Sequence, residues 1–130
     1  MADYDTAISL NPKYANAFNN RGNVRVDKGD RERGIADYSE AIRLNPNHVL
    51  AFYNRGLTYD ELGDYPAALQ DFSAAIRIDP NYAAAFYNRG ITYNDMGDYP
   101  AALEDFSAAI RLDPNDTAAS YGRGLTYYKM

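Results

Sequence analysis

The chain has 130 residues, of which 46% are hydrophobic, and its 13 Lys and Arg against 18 Asp and Glu give a formal net charge of −5. The apolar share is too high for a disordered tail, and the acidic balance argues against a nucleic-acid backbone as partner, which calls for a basic face. No apolar run approaches the ~18 residues of a membrane span, no basic-then-apolar leader opens the sequence, and the absence of cysteine excludes disulfides and thiolate metal sites. With neither leader nor span, a cytoplasmic setting is the expectation.

Pro12, Pro46, Pro80 and Pro114 stand 34 residues apart, and the sequence between them repeats in register. Residues 15–48, 49–82 and 83–116 are full repeats. Residues 1–14 match the last fourteen positions of the unit, and residues 117–130 match the first fourteen. Stacked repeats bury surface only against their neighbours, so residues 1–130 read as a single solenoid domain rather than a globule. The second and third repeats agree at 25 of 34 positions, whereas the first has drifted, with Arg25 in place of Tyr59 and Tyr93, and Gly34 in place of Ala68 and Ala102. An interior helical glycine is expected to weaken that first repeat.

In chain order, residues 1–14 are predicted to form the second helix of a pair, each full repeat a pair of helices, and residues 117–130 a first helix, eight helices in all. Within the third repeat, the first helix runs from Ala83 to Met96 and stops at Gly97, since a glycine after the last turn supplies the left-handed closing residue. Asp98 caps the second helix and Pro100 sits in its first turn, where a missing N–H costs nothing. Asp113, ahead of Pro114, ends it. No segment alternates with period two, so no strand is predicted. Phe86, Gly90 and Tyr93 share one face of the first helix, and Ala102, Phe106, Ala109 and Ile110 share one face of the second. Small residues at Gly90, Ala102 and Ala109 admit close approach, with Tyr93 and Phe106 filling the gaps. Arg21, Arg55, Arg89 and Arg123 recur at position 7, and Asp3, Asp37, Asp71 and Asp105 at position 23. Each Arg is expected to pair with an Asp on an adjacent helix.

A 34-residue unit with an aromatic at position 4, Gly at 8, Tyr at 11, Ala at 20, an aromatic at 24, Ala at 27 and Pro at 32 resembles the tetratricopeptide repeat, of bacterial type. Phe52, Gly56, Tyr59, Ala68, Phe72, Ala75 and Pro80 carry the resemblance in the second repeat, and it extends over all 130 residues. It implies an all-α, right-handed solenoid of antiparallel helix pairs. First helices would line a concave groove that binds an extended peptide or partner segment. Such proteins are interaction scaffolds rather than enzymes and need no cofactor.

The resemblance places repeat positions 2, 5, 6, 9, 12 and 13 on the groove. Position 5 supplies Asn19, Tyr53, Tyr87 and Tyr121, and position 6 supplies Asn20, Asn54 and Asn88. Position 9 supplies Asn23, Leu57, Ile91 and Leu125. Positions 12 and 13 add Val26 and Asp27, Asp60 and Glu61, Asn94 and Asp95, then Tyr128 and Lys129. A side-chain amide offers a donor and an acceptor, which suits the backbone of an extended peptide. The row Asn20, Asn54, Asn88 is similar to the asparagine ladder in the superhelix of the O-linked N-acetylglucosamine transferases. The alternative is that these amides bond only to the neighbouring repeat. The acidic edge favours a peptide carrying Lys or Arg. A clamp for a C-terminal carboxylate is disfavoured, because Asn19, Ala84 and Asn88 stand where that subclass carries cations.

Catalytic signatures are missing. His48 falls in a turn with no residue placed to orient it, and the recurrent carboxylates sit at helix caps. A protein or peptide partner is therefore expected, with neither nucleic acid nor membrane insertion. The second possibility is head-to-tail self-association through the chain's two half-repeats, with Met1, Tyr4 and Ile8 meeting Tyr121, Leu125 and Tyr128.

Overall fold

The computed structural model describes residues 14–130, which form seven helices and, among the described residues, no strand. They are α1 (Ala15–Asp27), α2 (Arg31–Leu44), α3 (Val49–Glu61), α4 (Tyr65–Ile78), α5 (Ala83–Met96), α6 (Tyr99–Leu112) and α7 (Thr117–Lys129). The eighth expected helix lies outside the described residues.

Local chemistry sets each boundary. Gly29, Gly63 and Gly97 take φ of 88°, 80° and 83°, the left-handed turn between the two helices of a repeat. The next residue caps: the side chains of Asp30, Asp64 and Asp98 accept the N–H of Arg33, Ala67 and Ala101. Between repeats, Asp116 accepts from Ala119 in the same way. Pro66 and Pro100 lie in first turns, where they displace no intrahelical bond.

Within a repeat the two helices close over an aromatic. Tyr38, Phe72 and Phe106 are fully buried, each under the position-8 glycine of the facing helix. A Cβ on Gly56 would come within 2.9 Å of Phe72 Cε1, and one on Gly90 equally close to Phe106. Between repeats, alanines at position 27 meet alanines at position 3 of the next unit, and Ala41, Ala51, Ala75, Ala85, Ala109 and Ala119 are completely enclosed. First helices also touch the first helices of adjacent repeats, while among the described residues no such contact joins second helices. The stack therefore curves, with α1, α3, α5 and α7 on its inner side. This is the all-α right-handed solenoid that the periodicity implies.

Three of the four expected arginines form their ion pair, while Arg123 reaches no carboxylate among the described residues and Asp3 lies outside them; the pairs that form carry more than charge. Arg55 donates Nε and Nη2 to the two carboxylate oxygens of Asp71, both at 2.8 Å, and Arg89 does the same to Asp105. Arg21 makes the equivalent pair with Asp37. Nη1 of Arg55 then reaches Ser39 Oγ in the preceding repeat at 3.0 Å, and Nη1 of Arg89 reaches Ser73 at 3.1 Å. Aromatic rings at positions 4 and 11 flank these guanidiniums, Phe86 and Tyr93 lying 5.6 and 5.9 Å from Arg89. One side chain thus ties three helices together.

The drifted first repeat compensates for its own substitutions. Arg25, replacing a tyrosine, adds a second guanidinium to Asp37 at 3.0 Å. Gly34 answers Val26: a Cβ there would enter the envelope of Val26 Cγ2 and lie 3.1 Å from the Gly22 carbonyl oxygen. In the sibling repeats Asp60 and Asn94 replace that valine, and Ala68 and Ala102 are accommodated.

Candidate functional site

On the inner side, the asparagine row divides its work. Asn54 donates its amide to Asn19 Oδ1 at 3.2 Å. Asn88 donates to the Tyr53 hydroxyl and to the Ala84 carbonyl, both at 2.9 Å. The donor half of each amide thus ties one repeat to the preceding one, while among the described residues neither amide oxygen accepts a bond. Asn20 is exposed, whereas Asn19 is buried. Asn19 is therefore an acceptor between repeats and not an open groove residue, a correction to its expected place.

The tyrosines of position 5 pack and line the groove together. Tyr53 lies 6.0 Å from Phe72 and 5.0 Å from Tyr82, centroid to centroid, and Tyr87 lies 5.9 Å from Phe106. Burial pushes the Tyr53 phenol up, so its hydroxyl stays protonated. Leu57 and Ile91 are half-buried beside them.

Position 12 separates the first repeat from its siblings. Thr92 donates to Asp60 Oδ1 at 2.9 Å, and Thr126 donates to Asn94 Oδ1 at 3.2 Å. These two groove residues are thus occupied in locking the next repeat. Desolvation raises the Asp60 carboxyl above its ordinary value, Thr92 opposes the rise, and the charges of Asp95 and Glu61 add to it. Val26 makes no such bridge; Thr58 donates to Asn54 O of its own helix, and its hydroxyl interacts with the Tyr38 phenol of the preceding repeat. A cavity of about 370 Å³ opens there between the first and second repeats.

That cavity has an ordered lining. Tyr38 and Asn23 form one polar wall, the Tyr38 hydroxyl donating to Asn23 Oδ1 at 2.6 Å. Val26 and Leu57 supply apolar walls; Asn54 and Thr58 complete the sides, with the carboxylates of Asp27 and Glu61 alongside. Burial, then the Asp27 charge, pushes the Tyr38 phenol up to about 12. Glu61 also takes a hydrogen bond from Arg31 Nε at 2.8 Å in an exposed setting. The cavity therefore gathers Asn23, Val26, Asp27, Asn54, Leu57 and Glu61 from the expected groove and leaves Tyr87, Asn88, Ile91 and Asp95 farther along the stack. Tyr38 and Thr58 escape the sequence reading. Their signal was present as two linked departures, Tyr38 where the siblings carry phenylalanine and Asn23 where they carry Leu57 and Ile91.

His48 is the N-cap of α3. Its Nδ1 accepts the Ala51 N–H at 3.2 Å, and its Nε2 lies 2.8 Å from Asn16 Oδ1. An accepting Nδ1 places the proton on Nε2, donated to Asn16. Among the described residues no group of three or more His, Asp and Glu is placed to hold a metal ion, and no helix is long and apolar enough to cross a membrane.

Of the residues expected at the ends, Tyr121, Leu125 and Tyr128 are exposed on α7, and Met1, Tyr4 and Ile8 lie outside the described residues.

Comparison with known proteins matches this arrangement. The tetratricopeptide repeat family description fits residues 19–83 and again residues 83–116. No curated protein matches the chain. Among solved structures, MamA superposes with a TM-score of 0.91 at 24% identity, over 97% of this chain and 74% of its own. The Arabidopsis OM64 tetratricopeptide domain superposes at 0.86 with 25% identity, over 89% of this chain and 96% of that one. The first tetratricopeptide domain of Spaghetti (RPAP3), bound to the HSP90 peptide SRMEEVD, superposes at 0.86 with 21% identity, over 88% and 91%. With half the chain covered by one family match, the remaining full repeat by another, and the helix-pair solenoid shared throughout, this chain belongs to the tetratricopeptide repeat family.

Proposed function

We propose that the chain is a non-catalytic interaction module whose concave groove binds an extended protein segment, with a Lys or Arg side chain of that segment entering the cavity beside Tyr38. Tetratricopeptide domains generally mediate protein–protein interaction, and the RPAP3 neighbour holds a peptide. The observation that carries the reading is the cavity itself: apolar walls at Val26 and Leu57 suit an aliphatic stem, and Asp27 and Glu61 suit its cationic head. The unbonded amide oxygens of Asn54 and Asn88 supply acceptors for peptide N–H groups along the same line. The charge preference is opposite to that of an acidic peptide such as SRMEEVD.

The test is a fluorescence-anisotropy screen of extended peptides, with Lys, Arg, Glu or norleucine at each position in turn. Binding of basic peptides that falls as salt is raised is expected, weakened about 3- to 10-fold by Asn54→Ala, and both weaker and less salt-dependent in Asp27→Asn/Glu61→Gln. Indifference to the Lys-to-norleucine exchange contradicts the cationic occupant, and indifference to all three variants contradicts the groove.

A second reading, end-to-end association of the chain, is favoured by a separate observation. Tyr121 and Tyr127 of α7 are 70% and 61% exposed, whereas Tyr53, Tyr59, Tyr87 and Tyr93 at the corresponding earlier positions are half-buried.

A further inference from the structure

Three charges stand at helix ends around the cavity between the first and second repeats, each at the end its helix dipole disfavours. Asp27 closes α1 and Glu61 closes α3, where carbonyl oxygens already gather negative charge. Arg31 opens α2, where N–H groups gather positive charge. Arg31 and Glu61 relieve part of this by pairing, Nε to Oε2 at 2.8 Å, with the two side chains 41% and 49% exposed. Asp27 enters no ion pair among the described residues.

The pair is peculiar to this junction. Arg31 stands at position 17, where the second and third repeats carry Tyr65 and Tyr99. Glu61, by contrast, has acidic counterparts in Asp27 and Asp95 at position 13. The carboxylates thus belong to the repeat, whereas the cation stands where the inner side opens into a cavity of about 370 Å³ lined by Asp27 and Glu61. An exposed ion pair contributes little to stability, so the consequence of Arg31 lies in the charge it leaves around that cavity.

Two carboxylates and one guanidinium leave a single formal negative charge. We propose that Arg31 sets the specificity of the cavity, admitting one cationic side chain and rejecting a peptide that carries a second Lys or Arg close by. The proposal rests on the cationic reading above and narrows it. The entering cation neutralises Asp27. A second one finds Glu61 already held, with a guanidinium of its own sign beside it. Partners are then told apart by a repulsive group as well as an attractive one.

Fluorescence anisotropy at low ionic strength, where exposed charges are least screened, tests this with short Ser- and Gln-based peptides. One carries a single central Lys; the others add a second Lys two residues before or after it, on the same side of an extended chain. In the wild-type chain the second Lys is expected to change affinity by less than about twofold. In Arg31→Gln it is expected to strengthen binding about 3- to 5-fold, the size of one exposed ion pair, and Arg31→Lys is expected to keep the wild-type ratio. If Arg31 merely fastened α2 to α3, its loss would lower affinity for every peptide and leave the ratio between them unchanged. An equal gain from the second Lys in wild type and Arg31→Gln therefore overturns the proposal and leaves the cationic reading standing. Binding of no Lys peptide by either protein overturns both.

Discussion

Single residues show how little room the 34-residue unit leaves for independent change. Gly34 has the look of a defect in sequence, yet Val26 fills the space an alanine methyl would need. Gly34→Ala is therefore expected to destabilise by about 1–2 kcal/mol in urea unfolding, overpacking outweighing the ~1 kcal/mol gain in helix propensity. In a Val26→Ala background the same substitution is expected to stabilise. His48 gives a second prediction. Burial holds its imidazole below the ordinary value near 6.5, and a backbone hydrogen bond opposes part of that fall. The folded state thus resists a proton that the unfolded chain accepts. This contribution is complete above about pH 6.5 and is lost as pH falls from there towards the lowered folded value, by at most about 1.4 kcal/mol per pH unit. His48→Asp, which copies the capping Asp116, should keep the cap at neutral pH and remove this slope from thermal unfolding curves. Neither pairing was legible in the sequence, where Gly34 and His48 register only as drift from their siblings. Their partners, Val26 and Asn16, stand 8 and 32 residues away.

At the scale of helices, most of the fold was legible because the punctuation is local. Gly97 followed by Asp98 and Pro100 states a helix end, a cap and a first turn within four residues, and the structure uses each as such. The Arg–Asp pairs were legible as well, since two charges recurring in step across repeats must share a cause. Their third partner, the serine at position 25 of the preceding repeat, was not, for it belongs to stacking between units. In Arg89–Asp105 the guanidinium is one-fifth exposed and the carboxylate nearly enclosed, and the hydrogen bonds to Asp105 push the Arg89 pKa up further. Truncating either residue to alanine is expected to cost about 2–4 kcal/mol. A double-mutant cycle should give a coupling above about 1 kcal/mol, and strictly additive losses would contradict the pair. Ser73→Ala should cost only about 1 kcal/mol.

Over the whole molecule, periodicity announces a solenoid and a groove but says nothing of where along the groove a ligand is held. Three nearly equal repeats would present three nearly equal surfaces. The described structure breaks that equality between the first and second repeats: Val26 offers Thr58 no acceptor, Tyr38 reaches Asn23, and the inner side opens there. The drifted repeat, the least regular in sequence, is the one that shapes the cavity. Carboxylates along the same side and a net charge of −5 support the proposal of a cationic partner. The most direct measurement is titration calorimetry of one extended peptide against the chain, with its central Lys replaced in turn by norleucine and by Glu. The account predicts clear binding for Lys, weaker binding for norleucine, and none for Glu, with the Lys advantage shrinking as salt is raised. Equal affinity for all three, or preference for Glu, would contradict it.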